Sequence, residues 1–242
     1  MEIKKYSELV ALNQAAANFF LISARTAVAR QGAFHVALSG GSTPQALYEL
    51  LATPEYAETV PWEKVHIYFG DERSVPPDHK ESNYRMAYDA LLRHVPIPES
   101  QIHRIKAECN DVHSAATDYS QQLRDCLPSG VNGEVEFDLI LLGVGPDGHT
   151  ASLFPKTDIL HEHKALVAAV YVEDKATWRV SLTFPVLNQA RQLLFLVAGS
   201  NKAEVVSKVL NNTANEAVFP VQQIKNRQQL WLIDQAAAEL LK

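Results

Sequence analysis

Residues 34–51, FHVALSGGSTPQALYELL, run from an apolar stretch through a pair of glycines into a segment with helical spacing. The first five residues are too few for a helix and apolar enough for the interior, so 34–38 reads as a buried strand. Gly40 and Gly41 let the backbone approach a ligand, Ser42 or Thr43 is expected to cap the following helix, and Pro44 suits its first turn. Strand, glycine turn and helix together form the repeating unit of α/β folds. Such a turn aims N–H groups and two hydroxyls at one spot above a helix N-terminus, where the macrodipole favours an anion. Ser39, Gly40, Gly41, Ser42 and Thr43 are therefore candidate phosphate ligands; the alternative is a tight turn that needs glycine for geometry alone. The loop is not a Walker loop, since no Gly-Lys-Ser/Thr follows. It is not a nucleophile elbow either, because Ala37 stands where Gly-x-Ser-x-Gly requires glycine.

The same alternation recurs along the chain. Strands are expected at 34–38, 65–69, 137–142, 166–172, 179–184, 193–197 and 230–233, and helices at about 7–30, 44–51, 83–94, 112–127, 202–210 and 235–241. Ser7, Ser82 and Asp234 read as N-caps, and Gly32 as the stop of the first helix. The pattern predicts a mostly parallel, Rossmann-like sheet flanked by helices, as a single α/β domain over residues 1–242. The Pro-Ser-Gly and Asn-Gly turns at 128–133 read as a loop, not a linker. Trp62, Trp178 and Trp231 are expected to pack in the core.

Composition narrows the function. The 242 residues are 47% hydrophobic and 21% charged, with a net charge of −6 and no basic run. Nucleic acid is thus an unexpected partner, and an anionic ligand must be met by local cations and backbone donors. The longest nearly apolar stretch, 137–144, is well short of the ~20 residues a membrane-spanning helix needs. The first ten residues lack the pattern of a secretory signal, so a cytoplasmic setting is expected. Cys109 and Cys126 fit neither a disulfide framework nor a metal site.

Two further loops carry chemistry. Phe69-Gly70-Asp71-Glu72-Arg73 places three charges directly after a strand, at the edge where open α/β sheets bind ligands. Asp71, Glu72 and Arg73 could orient sugar hydroxyls or act on protons; the alternative is a solvated turn. GVGPDGHTASLFP, residues 143–155, contains a formal Gly-x-Gly-x-x-Gly. Pro155 leaves no room for the long helix that a dinucleotide fingerprint requires. Its distinguishing feature is His149 two residues after Asp147: an imidazole can take and return a proton near neutral pH, and the carboxylate could fix its tautomer; the alternative is a loop histidine that holds its own turn together. His161-Glu162-His163 resembles half a metal site but has no third ligand nearby, and no metal is expected.

Taken together, SGGSTP (39–44), GDER (70–73) with SNY (82–84), GVGPDGHTASLFP (143–155), RVSLTFPVLN (179–188) and GSNKAE (199–204) resemble the 6-phosphogluconolactonase and glucosamine-6-phosphate isomerase/deaminase family. Within it they look like the lactonase branch. The resemblance implies a modified Rossmann-like sheet without a nucleotide, no metal or organic cofactor, and hydrolysis of 6-phospho-D-glucono-1,5-lactone in the oxidative pentose phosphate pathway. It further implies catalysis by His149 with Asp147, and phosphate held by the 40–43 loop with Arg179 and Lys202. Arg73 or Arg85 could add to that site, and a monomer is expected. In the deaminase branch the histidine turn continues into Asn-Glu-Pro, whose acid assists ring opening, whereas Phe154 stands here. Arg73 also replaces an aromatic typical of deaminases, and Ser181 stands where threonine is expected. A deaminase and a non-catalytic sugar-phosphate sensor are the alternatives.

Overall fold

The computed structural model describes residues 1–130, 133–211 and 219–241. Its nine strands are β1 (Glu2–Tyr6), β2 (Phe34–Leu38), β3 (Val65–Phe69), β4 (Asp71–Arg73), β5 (Leu139–Leu142), β6 (Val167–Val172), β7 (Thr177–Leu182), β8 (Leu193–Val197) and β9 (Gln229–Asp234). The helices are α1 (Leu9–Gln31), α2 (Ser42–Leu51), α3 (Pro54–Ala57), α4 (Asn83–Ala90), α5 (Val112–Cys126), α6 (Phe184–Gln189) and α7 (Ala203–Leu210). Six strands form a wholly parallel sheet in the order β1-β9-β8-β5-β2-β3. The other three form an antiparallel sheet in the order β4-β7-β6.

Strands β2, β5 and β8 are buried at every position, as expected where helices cover both faces of a parallel sheet. On one face Phe34 meets Phe20 of α1 edge-on, with ring centroids 5.3 Å apart. Alanines 16, 17, 24 and 27 on that side of α1 are buried, and their small side chains let the helix lie close to the strands. Helix α5 covers the opposite face, where the Tyr119 hydroxyl accepts from the Phe69 N–H at 2.9 Å. The two sheets meet at Gly70. Its N–H donates to the Leu38 carbonyl and its carbonyl accepts from the Leu182 N–H, at 2.8 and 2.9 Å.

Several expectations need correction. Strand β1 was not expected, because three of its five residues are charged; as an edge strand it is held by the backbone ladder to β9. The cap of α1 is Glu8, not Ser7, and it acts without its side chain, whereas Gly32 ends the helix as expected at φ 85°. Residues 235–240 form turns instead of a helix, although the Asp234 carboxylate, at the end of β9, accepts from the Ala237 N–H as the expected N-cap would; it is shared with the Gly199 N–H. Trp62 and Trp231 are buried, but Trp178 is 37% exposed, since strand alternation turns it outward beside the buried Arg179. Of the 128–133 loop, residues 131–132 lie outside the described residues.

The face under α5 carries an unusual column. His35, His66 and His103 stack with ring centroids 4.7 and 5.6 Å apart, and Tyr68 lies over His103 at 4.4 Å. His66 Nδ1 is 3.3 Å from His103 Nε2, and His35 Nδ1 is 3.2 Å from the Tyr68 hydroxyl. The side chains of Gln101 and Gln122 complete the polar contacts. Burial, reinforced by neighbouring histidines, lowers His35 and His103 to about 4, and burial lowers His66 too. The unfolded chain therefore binds protons that the folded chain refuses. The stability these rings contribute is complete above about pH 6.5 and is lost as pH falls toward 4. Glu72 and Asp138, whose carboxyl pKa values burial raises, act in the opposite sense at lower pH. Lowering pH from 7 to 5 should reduce Tm by about 5–10 °C, and His103→Gln should flatten that dependence. Thermal melts across this range check it; equal slopes in both proteins would show that the column is not the source.

Candidate active site

The strand ends bring the three predicted loops to one cleft of about 320 Å³. It is lined by Ser39, Gly40, Gly41, Ser42 and Thr43, by Asp71, Arg73 and Arg179, and by His149 and Lys202. Asp147 stands outside the cleft wall, behind His149. Arg85 is remote: it pairs with Asp89 at 3.5 Å and donates to the Asp78 carbonyl.

The glycine loop enters α2 differently from the expected geometry. Gly41, at φ 107°, is the N-cap, and no side chain caps the helix. Ser42 and Thr43 are already helical, so neither hydroxyl is spent on capping, and Pro44 brings no N–H into the first turn. Tyr48, in the same helix, anchors the loop: its hydroxyl accepts from the Ser39 N–H and donates to the Ser39 carbonyl. Gly40 is required by close approach, because a Cβ there would sit 2.1 Å from Asn83 Oδ1.

Asn83 leads to the acidic residues. Its amide donates to the Asp71 carbonyl and carboxylate at 2.9 and 3.2 Å, while the Ser152 hydroxyl donates to the other Asp71 oxygen at 2.7 Å. The Ser152 N–H is in turn held by the Ser181 hydroxyl at 3.1 Å. Glu72, expected to share the work of Asp71, turns away from the cleft. Its carboxylate accepts from the N–H groups of Arg73, Asn83 and Tyr84 and from the Ser82 hydroxyl, serving as a buried anion at the N-terminus of α4. Ser82 also caps α4, accepting from the Arg85 N–H as expected.

Positive charge gathers on the other side. Arg73 and Arg179 stand opposite each other across the β4–β7 ladder, and each has a buried Nε without a hydrogen-bond partner among the described residues. Arg179 is 9% exposed; burial and the adjacent Arg73 push its pKa down, with Asp71 opposing. An arginine stays charged regardless, so this desolvated pair of cations favours an anion between them and the loop. Lys202 ends a short 3-10 turn, with α7 beginning at the next residue. Gly199, at φ 98°, opens that turn and donates its N–H to both Asp234 oxygens at 3.0–3.1 Å. Burial pushes the Lys202 ammonium pKa down.

His149 closes the third side. Residues 145–149 fold into a turn in which the Gly145 N–H donates to the His149 carbonyl at 2.8 Å. His149 Nδ1 lies 2.5 Å from Asp147 Oδ1. Partial burial acts to raise the Asp147 pKa, but the hydrogen bond and charge of His149 prevail and hold it below the usual carboxylate range. With Nδ1 engaged, Nε2 is the nitrogen left for proton transfer. Asn83, Thr150, Ser152 and Lys175 also line the cleft and were not singled out as site residues from sequence. Thr150 has a buried hydroxyl with no hydrogen-bond partner among the described residues. Asn83, inside the Ser-Asn-Tyr segment, and Thr150 and Ser152, inside 143–155, lay within the quoted motifs, whereas Lys175 carried no signal. At the suspected half metal site, Glu162 instead binds the N–H groups of Lys164 and Ala165.

A family model described as glucosamine-6-phosphate isomerases/6-phosphogluconolactonase matches residues 7–232. A 6-phosphogluconolactonase of Nostoc sp. is 40% identical over 217 residues, 89% of this chain and 88% of that protein. Among solved structures, the devB protein is 36% identical with a TM-score of 0.90, covering 100% of this chain and 99% of its own. The 6-phosphogluconolactonase from Trypanosoma cruzi is 30% identical with a TM-score of 0.87, covering 100% and 97%.

If the paired arginines and Lys202 form an anion site, inorganic phosphate should raise Tm in a concentration-dependent manner. Arg179→Ala and Lys202→Ala should each weaken that response by about 10- to 150-fold in phosphate concentration, since charge-assisted hydrogen bonds contribute roughly 1.5–3 kcal/mol each. Thermal shift titrations measure this. An unchanged response in both variants would place the anion elsewhere.

Proposed function

The chain belongs to the glucosamine-6-phosphate isomerase/6-phosphogluconolactonase family, and from that premise we propose that it hydrolyses 6-phospho-D-glucono-1,5-lactone to 6-phospho-D-gluconate, a step of the oxidative pentose phosphate pathway. One observation carries the reading. A histidine oriented by a carboxylate faces the same cleft as a cross-strand pair of arginines, whose buried Nε atoms have no partner among the described residues, and a glycine-rich helix N-terminus. The cleft volume falls within the usual range for a small-molecule site.

In the proposed reaction the phosphate lies against residues 40–43, with Arg179, Lys202 and Arg73 meeting its charge. Ser39 and Asp71, the latter held by Asn83 and Ser152, contact the sugar. His149 Nε2 removes a proton from water as the water oxygen bonds to C1, and the carbonyl electrons move onto its oxygen. When that tetrahedral intermediate collapses, the bond from C1 to the ring oxygen breaks and the imidazolium returns its proton to the departing oxygen. Asp147 stabilises the imidazolium between the two steps. The sequence balances without a redox partner, a covalent enzyme intermediate or a cofactor. We place this activity in one α/β unit spanning residues 1–242, acting as a cytoplasmic monomer without nucleic-acid or membrane partners. The acidic net charge supports that setting, and no helix among the described residues is long and apolar enough to cross a membrane.

A lactonase assay on the purified protein, with spontaneous hydrolysis subtracted, is the primary test. His149→Ala should fold normally and lose about 10²–10⁴ in turnover. Activity close to wild type would remove His149 from the mechanism, and absence of activity in the wild type would overturn the function itself.

The same protein should release no meaningful ammonia from glucosamine 6-phosphate, because Phe154 offers no carboxylate for ring opening. A deamination rate comparable to lactone hydrolysis would move the chain to the other branch of the family. Phe154→Glu alone should not create that activity, since Arg73 would still shape the pocket.

A further inference from the structure

Phe154 does more than take the place of an acid. Its ring is stacked on the His149 imidazole, with centroids 4.0 Å apart and planes inclined by 28°. The backbone on both sides of Phe154 is fixed. Leu153 is fully buried and its N–H donates to the Thr150 carbonyl at 3.0 Å, while the Thr157 hydroxyl donates to the Phe154 carbonyl at 2.6 Å. The imidazole is confined elsewhere too. A Cβ on residue 145 would lie 2.1 Å from its Nδ1 and Cε1, so the absent side chain of Gly145 is the space that this edge occupies. Asp147 Oδ1 holds Nδ1 at 2.5 Å.

We propose that Phe154 is a positioning residue: by covering one face of His149 it fixes the plane of the imidazole, so that Nε2 alone is presented to the water that attacks the lactone. This rests on the proposed lactonase reading. The physical reason is orientational. Asp147 is 45% exposed on its side chain, and a single hydrogen bond at Nδ1 leaves the ring free to swing about that contact. A rigid aromatic face blocks that rotation, and stacking an aromatic ring also favours the positive charge the imidazole acquires in mid-reaction. An aliphatic side chain of similar volume would fill the space without defining a plane. Misplacing a proton-transfer group by about 1 Å can cost on the order of 10²-fold in rate.

The test is a double-mutant cycle on steady-state lactone hydrolysis. Phe154→Leu should lower kcat by about 10- to 100-fold with KM within about twofold of wild type, and Phe154→Tyr should restore kcat to within about threefold. In the His149→Ala background, Phe154→Leu should leave the residual rate unchanged, because the ring acts only through the histidine. An unaltered kcat in Phe154→Leu overturns the proposal. So does a raised KM at constant kcat, which would make Phe154 a substrate contact, or an equal loss of rate in both backgrounds. A Phe154→Leu protein that failed to fold would leave Phe154→Tyr to decide, with a loss as large as 10-fold despite an unchanged Tm counting against a positioning role. Failure of the lactonase reading would look different, with wild type inactive or His149→Ala as active as wild type.

Discussion

A pair of backbone hydrogen bonds at Gly70 determines where everything else in the cleft can stand. This residue bonds through its N–H to the last residue of β2 and through its carbonyl to the last residue of β7. The parallel sheet and the small antiparallel sheet are joined at the point where the chain leaves one and enters the other. Because of that junction, Asp71, Arg73 and Arg179 overhang the glycine loop that follows Leu38. Neither sheet contains a site alone. The large sheet supplies a helix N-terminus and the histidine turn, the small one supplies the arginines, and the cleft is the angle between them.

Electrostatics then follows from burial. A chain of net charge −6 attracts no anion from a distance, and on the proposed reading Arg179, buried beside Arg73, compensates at short range. Glu72 shows how the same economy works internally. Its carboxylate occupies the N-terminus of α4 and its hydrogen bonds order the residues around Asn83. Two neighbouring acids thus have separate structural employment, one bracing the cleft and the other bracing the brace.

Local chemistry was legible in the sequence where one short segment carries its own meaning. The buried run at 34–38 followed by Gly40 and Gly41 announced strand, turn and helix, and Asp147 and His149 announced an acid–base pair in a turn. What was hidden depends on partners distant in the chain. Ser152 matters because Asp71 lies across from it, 81 residues away. Asn83 matters because it packs over Gly40, and Asp234 because it holds Gly199. Strand β1 escaped notice for a related reason: edge strands are secured by backbone pairing, and its charged side chains gave no alternation to read. Glu72 and Asp71 are adjacent and alike on paper, and strand alternation sends them to opposite surroundings.

The two halves of the cleft have very different histories along the chain. The Asp147–His149 turn is closed within five residues, by the bond from the Gly145 N–H to the His149 carbonyl. The proposed anion cradle instead gathers residues 39–43, 73, 179 and 202, so it exists only after segments far apart in sequence have met. During folding, loop closure over such separations comes late. On the proposed reading, a partly folded chain could form the Asp147–His149 turn long before it could hold a phosphorylated molecule. Capture of the ligand is therefore a property of the completed fold, and a bound phosphosugar would act as a clasp across the chain, slowing the first steps of unraveling.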